Sequence, residues 1–336
     1  MRRIIVAVVV LLLVAAAASY TGYWFYIAGR LPEAIAGWAE ARRGEGYGVR
    51  LDSLAVGGFP TSFRVTLAGA AFAGARPLPF QAAAATVIGE ARPWNLRRWR
   101  VSAPHGARVE AATEGDTIAA ATLDATVTIG ADNDATVALA ARQIAGSGAA
   151  AALRIADADA WLALPGRPPA DHRQDGARVT LRLRGIALPR AVPSLGATVD
   201  AVTLSGAVKG AVPPGQLRQA LATWRDDGGT IELEEGALRW GSLAASANGT
   251  LALDAALQPI GALTATIENH NAVIDAAVAG GTLRADDANL AKVLLGLMAK
   301  PGADGKKRLT LPVTLQNRRL YLGPAQIAVL PAITWE

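Results

Sequence analysis

The chain has 336 residues, a formal net charge of +5, and a composition that is 51% hydrophobic but only 5% aromatic. This length is sufficient for a large folded body. Five net charges on such a chain do not provide the clustered basic face that nucleic-acid binding needs, so nucleic acid is not expected as a partner. The absence of cysteine excludes disulfides, iron–sulfur clusters and thiol catalysis.

The first element is an uncharged segment of 23 residues, Ile4–Tyr26. As a helix it would rise about 34 Å, and the hydrocarbon core of a bilayer is about 30 Å thick. The sequence therefore predicts a transmembrane helix over 4–26, preceded by a cytoplasmic tip over 1–3. Basic and aromatic residues flank the segment as at membrane interfaces, and the expected interface residues are Arg2, Arg3, Tyr23, Trp24 and Tyr26.

A cleaved signal peptide is the alternative interpretation of this segment. Its apolar region would be Ile4–Val14, and Ala16–Ala18 would supply the small residues of a cleavage site. The anchor is favoured because no proline or polar break follows Ala18 and the apolar run continues into aromatic residues. On either interpretation the rest of the chain lies outside the cytoplasm, in agreement with the absence of nucleotide-binding loop motifs.

An amphipathic helix is predicted over Leu31–Arg43, and the sequence shows no clear break between it and the membrane segment. Its first turns, "LPEAIAGWAE", resemble "LRQALATWRD" from Leu217 onwards. One interpretation is a duplication, with a first half over 27–213 and a second half over 214–336. Trp38 and Trp224 would then be buried at equivalent positions. The other interpretation is a chance likeness between two alanine-rich helices.

Strands are predicted to dominate the remainder. Apolar and polar residues alternate in "FRVTL", "VTLRLRG", "TIELE", "GTLALD", "ALTATI" and "RLTLPVTL", with glycine, asparagine or aspartate usually between the runs. "GGFP", residues 57–60, predicts a turn. A further helix is expected over Asp287–Lys300, with Asp287 as its N-cap. The fold class is thus α+β and strand-rich: a transmembrane helix, a long antiparallel meander and a few amphipathic helices.

Several segments resemble a known family. They are "GWAEARRGEGYGVRLDSLAVGGFPTSFRVTL", "ARPWNLRRWRVSAP", "GTIELEEGALRWGSLAASANGTLALDAALQPIGALTATI" and the ending "LPVTLQNRRLYLGPAQIAVLP". Together they resemble domain-of-unknown-function family 2125, a group of bacterial envelope proteins. The resemblance implies a bacterial envelope protein and supplies no catalytic residues. Together with the predicted transmembrane helix, it leads us to expect a single-pass protein of the bacterial inner membrane with its C-terminal body in the periplasm. The layout is also similar, by analogy of fold only, to the AsmA-like envelope proteins implicated in lipid handling.

No catalytic motif, cofactor loop or metal-ligand set is apparent, so neither an enzymatic activity nor a cofactor is expected. Each histidine lies in a turn-like sequence without a second histidine at ligand spacing. Surface loops are therefore expected for His105, His172 and His270. The remaining hypotheses are a protein that binds a lipid or another hydrophobic envelope molecule, and a structural scaffold that contacts other envelope proteins without a ligand.

Two segments have side chains suited to a lipid. "RPWNLRRWR", residues 92–100, interleaves arginine with tryptophan, as an anionic headgroup surface favours; the alternative is an edge strand with solvated arginines and two core tryptophans. The helix over Asp287–Lys300 has a continuous apolar face. That face either covers a lipid groove or packs on the sheet as core, and its candidate groove contacts are Leu290, Val293, Leu294 and Leu297.

Overall fold

The computed structural model describes residues 2–74, 80–111, 116–148, 151–281, 283–301 and 307–335. Four helices occur in these ranges. They are α1 (Arg2–Gly44), α2 (Leu217–Asp226), α3 (His270–Ala279) and α4 (Ala285–Met298). The described chain is 53% strand and 25% helix, which confirms the predicted strand-rich α+β class.

The strands form one sheet. In chain order they are β1 (Gly48–Arg50), β2 (Ser53–Gly57), β3 (Phe63–Gly74), β4 (Phe80–Arg92), β5 (Asn95–Ala103), β6 (Ala107–Ala111), β7 (Thr117–Ile129), β8 (Ala135–Ser147), β9 (Arg154–Leu164), β10 (Asp175–Val192), β11 (Gly196–Lys209), β12 (Thr230–Trp240), β13 (Leu243–Leu253), β14 (Pro259–Glu268), β15 (Lys300–Pro301), β16 (Lys307–Gln316), β17 (Arg319–Leu322) and β18 (Ala325–Val329).

Strand pairing follows chain order, and every described pairing is antiparallel. Both β1 and β2 pair with β3. The strands β5 and β6 both lie between β4 and β7. From β7 the sheet continues strand by strand to β14. β16 pairs with β14 across the connection that contains α3 and α4. β17 then pairs with β16, and β18 pairs with β17. This confirms the predicted meander. The pairing of β11 with β12 carries the sheet without interruption across the expected boundary between residues 213 and 214.

The register gives the sheet one apolar face. Residues paired across antiparallel strands project to the same side. One cross-strand row on this side contains only apolar residues and glycine through twelve strands: Val65, Gly89, Val101, Ala125, Leu139, Ala160, Leu181, Leu204, Gly236, Ala247, Ala265 and Leu311. A neighbouring row runs from Phe63 through Trp99, Val127 and Leu162 to Val313 in the same manner.

The opposite face is mainly polar, because alternate residues of a strand project to opposite sides. Its central row includes Thr66, Ser102, Asp124, Asp159, Arg182, Thr203, Ser246, Thr266 and Thr310. Hydroxyl groups meet across strands here: the Oγ atoms of Thr180 and Ser205 are 3.1 Å apart. The two faces therefore present different chemistry along the whole meander.

α1 is one continuous helix of 43 residues. It has no break near Ala18 or Tyr26, so the expected continuation of the membrane segment into the amphipathic helix is confirmed. Residues 2–19 are exposed, whereas the later part of α1 packs on the apolar face of the sheet. There Trp24 and Ala28 form a buried cluster with Phe63, bordered by Val56 and Trp99.

α2 connects β11 to β12 and is anchored by Trp224, which is 3% exposed. The Trp224 indole donates a hydrogen bond from Nε1 to the carbonyl oxygen of Lys209 at 2.7 Å. Trp38, its counterpart in the repeated sequence, is 51% exposed and stacks on Phe72. The prediction of equivalent buried positions is wrong, because the two helices meet different parts of the sheet.

α3 and α4 lie between β14 and β16. α3 packs Ala272 against Leu195 and Leu243, which forms a second buried cluster. α4 begins at Ala285 with Arg284 as its N-cap, so the expected N-cap role of Asp287 is wrong. Asp287 lies instead in the first helical turn, where a carboxylate favours the helix dipole.

An ion-pair network spans the polar ends of β10, β11 and β12. Lys209 Nζ lies 2.6 Å from a carboxylate oxygen of Asp175 and 3.3 Å from Glu232, and Arg178 bridges Asp175 and Glu234. The hydrogen bond from Lys209, assisted by that from Arg178, lowers the pKa of Asp175 below its ordinary value of 3.8. The same contacts raise the pKa of Lys209 and of Arg178.

The burial difference between the two tryptophans yields a test. Trp224→Ala is expected to lower the free energy of unfolding by about 3–5 kcal/mol, as truncation of a core aromatic does. Trp38→Ala is expected to cost clearly less, because Trp38 is already 51% exposed. Denaturant titration of both variants in the same detergent checks this, and equal losses would contradict the packing described here.

The Asp175 network predicts a pH dependence. Because the folded-state pKa of Asp175 is lowered, its stabilisation is present above the unfolded-state pKa and is lost as pH falls through the lower folded-state pKa. Asp175→Asn is therefore expected to be less stable than wild type at pH 7, with a difference that shrinks below about pH 4. Thermal melts across an acid pH series measure this, and a constant difference at all pH values would be the contrary result.

Candidate functional site

The contact between α1 and the first strands of the sheet positions the candidate site. The Trp24 ring stacks on Phe63 with centroids 5.3 Å apart, and its Nε1 donates to the carbonyl oxygen of Ser62 at 3.1 Å. One residue earlier, the Tyr23 hydroxyl donates to the carbonyl oxygen of Pro93 at 2.9 Å. Stacking and directed hydrogen bonds together hold the helix at one place and one rotation on the sheet.

The predicted "GGFP" turn, residues 57–60, connects β2 to β3 and lies against α1. Phe59 packs with its ring centroid 5.4 Å from that of Trp24, and the Tyr20 hydroxyl donates to the carbonyl oxygen of Pro60. Gly58 has a φ of +97°, and a Cβ there would lie 2.6 Å from the backbone oxygen of Ser62. The turn is confirmed, and Gly58 is required both by its left-handed conformation and by this close approach.

The expected membrane-interface residues divide into two groups. Arg2, Arg3, Tyr23 and Tyr26 are exposed, whereas Trp24 is buried against the sheet. The Arg30 guanidinium lies 5.0 Å from the centroid of the Tyr26 ring. Trp24 therefore serves as the buried contact between helix and sheet, Tyr23 is exposed but bonded to Pro93, and Tyr26 is 58% exposed.

A groove with a volume of about 340 Å³ lies on the apolar face, near the C-terminal part of α1. Apart from Ser102 and Arg108, the residues that line it are alanine, valine, leucine, phenylalanine or tryptophan. The bulkier ones are Trp38, Val49, Leu51, Leu67, Phe72, Val87, Val101, Val109 and Leu123. Many of the others are alanines, and their small side chains leave the space that forms the groove.

The groove belongs to the longer apolar surface of the sheet. Val101 and Ala125 line it and are also members of the cross-strand row that continues to Leu311. Beyond the groove this surface stays partly open, since Val179 is 43% and Leu204 is 44% exposed. With few polar groups in its lining, the groove is suited to an apolar chain rather than to a polar metabolite.

The predicted groove contacts on α4 lie elsewhere. Leu290, Val293, Leu294 and Leu297 are each more than half exposed, and none of them lines the groove. The alternative in which this face packs on the sheet as core is wrong, because α4 buries only Ala288. Contact of this face with a lipid stays a prediction.

The edge-strand interpretation of the basic segment 92–100 is wrong, because β5 pairs with both β4 and β7; contact of its arginines with a lipid headgroup stays a prediction. Trp99 projects to the apolar side and packs against the Trp24–Phe63 cluster. Trp94 is 70% exposed, and Arg98 and Arg100 are also exposed. Strand alternation separates these residues, because β5 places Trp99 on one face of the sheet and Arg98 and Arg100 on the other.

The histidines do not come together. His105 and His172 are exposed, as expected, but His270 is 8% exposed at the start of α3. The expected surface position of His270 is wrong, because the helix that begins there packs onto the sheet through Ala272. Within the described ranges, no group of three or more histidine, aspartate or glutamate residues is arranged to hold a metal ion.

These features define a strand-rich protein with an N-terminal helix of membrane-spanning length and apolarity, and with an open apolar groove beside the continuation of that helix. The family model described as "Uncharacterized protein conserved in bacteria (DUF2125)" matches residues 24–331. The chain therefore belongs to this family, as its sequence resemblance indicates. No curated protein and no solved structure matches the chain.

Proposed function

We propose that this is a single-pass protein of the bacterial inner membrane whose periplasmic body binds the acyl part of a lipid on the apolar face of its sheet. The observation that carries this proposal is the unbroken apolar surface that begins at Trp24 of α1 and continues through the groove across the sheet. The proposed activity is binding, without a chemical reaction.

The free energy of an open apolar face supports an occupant. Apolar surface in contact with water costs about 25 cal/mol per Å² relative to burial. Soluble proteins therefore rarely expose a contiguous apolar patch of more than a few hundred Å² without using it. The groove volume of about 340 Å³ lies within the range of pockets that hold small ligands, about 300–1,000 Å³. An acyl chain would cover this surface without needing polar partners.

The position of the groove relative to α1 favours a membrane lipid. At about 1.5 Å per residue, the rise from Arg3 to Trp24 is about the thickness of a bilayer core. Trp24 stacks on Phe63, and Trp99 packs against the same cluster; both residues belong to one apolar row. A chain that leaves the bilayer beside α1 would thus meet apolar side chains at once, with Val101 and then the groove next along β5.

A scaffold that contacts another envelope protein is the second candidate function. The observation in its favour is the exposed apolar face of α4, which includes Leu294 and Leu297. In that case the apolar face of the sheet would hold no lipid. The two candidates differ in whether lipid remains with the isolated protein.

The first test concerns placement in the membrane. Alkaline phosphatase fused to the C-terminus is expected to be active, because the body is proposed to lie in the periplasm. The mature protein is expected to retain Arg2 and Arg3, which N-terminal sequencing or intact-mass measurement checks. A mature chain that begins at Ser19 would reject the anchor and support a signal peptide.

The second test uses adjacent residues on opposite faces of β7. Ala125 lines the groove, whereas Thr126 lies on the polar face and is paired with Arg100. Ala125→Gln is expected to reduce lipid co-purification about fivefold or more, because an amide left without a partner against an acyl chain costs about 1–3 kcal/mol. Little stability should be lost, since the groove wall is already open. Native mass spectrometry of the detergent-extracted protein measures the bound lipid.

Thr126→Gln is the matched control and is expected to retain the wild-type amount of lipid. Equal lipid loss in both variants would show that the groove is not the binding site. Absence of lipid from the wild-type protein would leave the scaffold as the better explanation of the apolar surface.

A further inference from the structure

A second cavity, of about 370 Å³, lies at the end of the strands β4 and β5, beside the turn that connects them. Four arginines and one glutamate are among its lining residues, and Trp94 stands beside them. The arginines are Arg64, Arg92, Arg98 and Arg100, and the glutamate is Glu90. The cavity is therefore strongly cationic, in contrast to the apolar groove on the other face of the same strands.

The arginines of this cavity differ in whether a carboxylate of the protein already neutralises their charge. Arg64 forms an ion pair with Glu90, so these two charges offset each other. Arg92 donates to the carbonyl oxygen of Thr61 at 3.2 Å and lies over the Trp94 ring at 5.8 Å. Arg98 and Arg100 are exposed, and within the described ranges neither has a carboxylate oxygen within 4.0 Å. The guanidinium groups of these last two are free to bind an anion.

The position of the cavity relative to α1 indicates which anion it would meet. The Tyr23 hydroxyl is bonded to the carbonyl oxygen of Pro93, the residue directly before Trp94. At 1.5 Å per residue, the rise from Arg3 to Tyr23 is about 30 Å, which equals the thickness of the hydrocarbon core. α1 residues 2–19 are exposed, and the contacts with the sheet begin at Tyr20. With α1 spanning the bilayer as proposed above, the β4–β5 turn would lie at the level of the lipid headgroups on the side where α1 leaves the bilayer.

We propose that Arg98 and Arg100, with Arg92 and Trp94, form a binding site for the phosphate of an anionic phospholipid headgroup in this leaflet. Arginine binds phosphate through paired N–H donors, and an exposed indole is favoured at the interface between headgroups and acyl chains. The inference rests on the membrane anchor of the proposed function but not on the groove. It assigns to the 92–100 segment a role in holding this end of β4 and β5 against the bilayer.

The test measures lipid preference with the full-length protein, its helix intact by mass measurement, in phosphatidylcholine nanodiscs. Spin-labelled phosphatidylglycerol or spin-labelled phosphatidylcholine is added, and the motionally restricted fraction of each is determined by electron paramagnetic resonance. Wild type is expected to restrict phosphatidylglycerol preferentially. Arg98→Gln/Arg100→Gln is expected to lose about fivefold of this preference for each arginine, the fold-change equivalent to about 1 kcal/mol per basic residue near an anionic surface.

Two control variants distinguish an effect of the proposed site from an effect of the protein's net charge. Arg190→Gln/Arg239→Gln removes the same charge from exposed residues at the opposite ends of the strands and is expected to retain the preference. Arg98→Lys/Arg100→Lys keeps both charges without the paired donors and should retain part of it. Melting temperatures of all variants confirm that the fold is unchanged.

Three results would overturn the headgroup site: no preference in wild type, an unchanged preference in Arg98→Gln/Arg100→Gln, or an equal loss in Arg190→Gln/Arg239→Gln. Loss of the preference at inorganic phosphate concentrations close to that of the added lipid, at constant ionic strength, would also overturn it, since the site would then take the free anion as readily as the headgroup. Failure of the groove is a separate outcome, because Ala125→Gln is expected to keep the headgroup preference while losing co-purified lipid.

Discussion

The contact of Trp24 with Phe63 is the interaction on which the rest of the arrangement depends. α1 is continuous from the exposed apolar segment to the sheet, so whatever fixes the helix on the sheet also fixes the sheet relative to the helix axis. Ring stacking supplies buried area, and the bond from Trp24 Nε1 to the Ser62 carbonyl sets the rotation of the helix. This one contact sets the positions of the "GGFP" turn, the β4–β5 turn and the groove along the axis of α1.

Helices cover only part of the apolar face of the sheet. α1 covers its beginning, and α3 covers part of the later strands through Ala272, Leu195 and Leu243. Between these clusters the apolar rows remain half-buried. A second layer packed on this face would have enclosed a conventional core. Its absence from the described part of the chain leaves an extended apolar surface whose stability depends on the strand ladders rather than on close side-chain packing.

Strand alternation lets a single strand contribute to two proposed sites. Along β5, Trp99 and Val101 project to the apolar face, where Trp99 joins the buried cluster and Val101 lines the groove. Arg98 and Arg100 project to the other face and line the cationic cavity. The proposed headgroup site and the proposed acyl-chain site are thereby placed on opposite faces of the same strand. The helix contact at Trp24 places both beside the segment of membrane-spanning length.

Much of the local structure could be predicted from the sequence, including the continuous N-terminal helix, the meander and the turn at Gly57–Pro60. These features depend on hydrophobic periodicity and turn residues, which are properties of near neighbours in the chain. Burial could not be predicted in the same way. Trp38 and Trp224 occupy almost the same local sequence, yet only Trp224 is enclosed, because its ring packs beside Gly229 and donates to Lys209 on another element.

The groove and the buried position of His270 were likewise decided by tertiary structure. The groove requires Leu67, Val101 and Ala125 to share a face, and they do so only through the register of β3, β4, β5 and β7. The exposed face of α4 is the converse case, since its pattern is that of a core helix but the described chain leaves Leu294 52% exposed. The sequence by itself determined which segments are helices, strands and turns, because that information is local. The pairing of distant strands decided which of their side chains line a site, because burial depends on residues far apart in the chain.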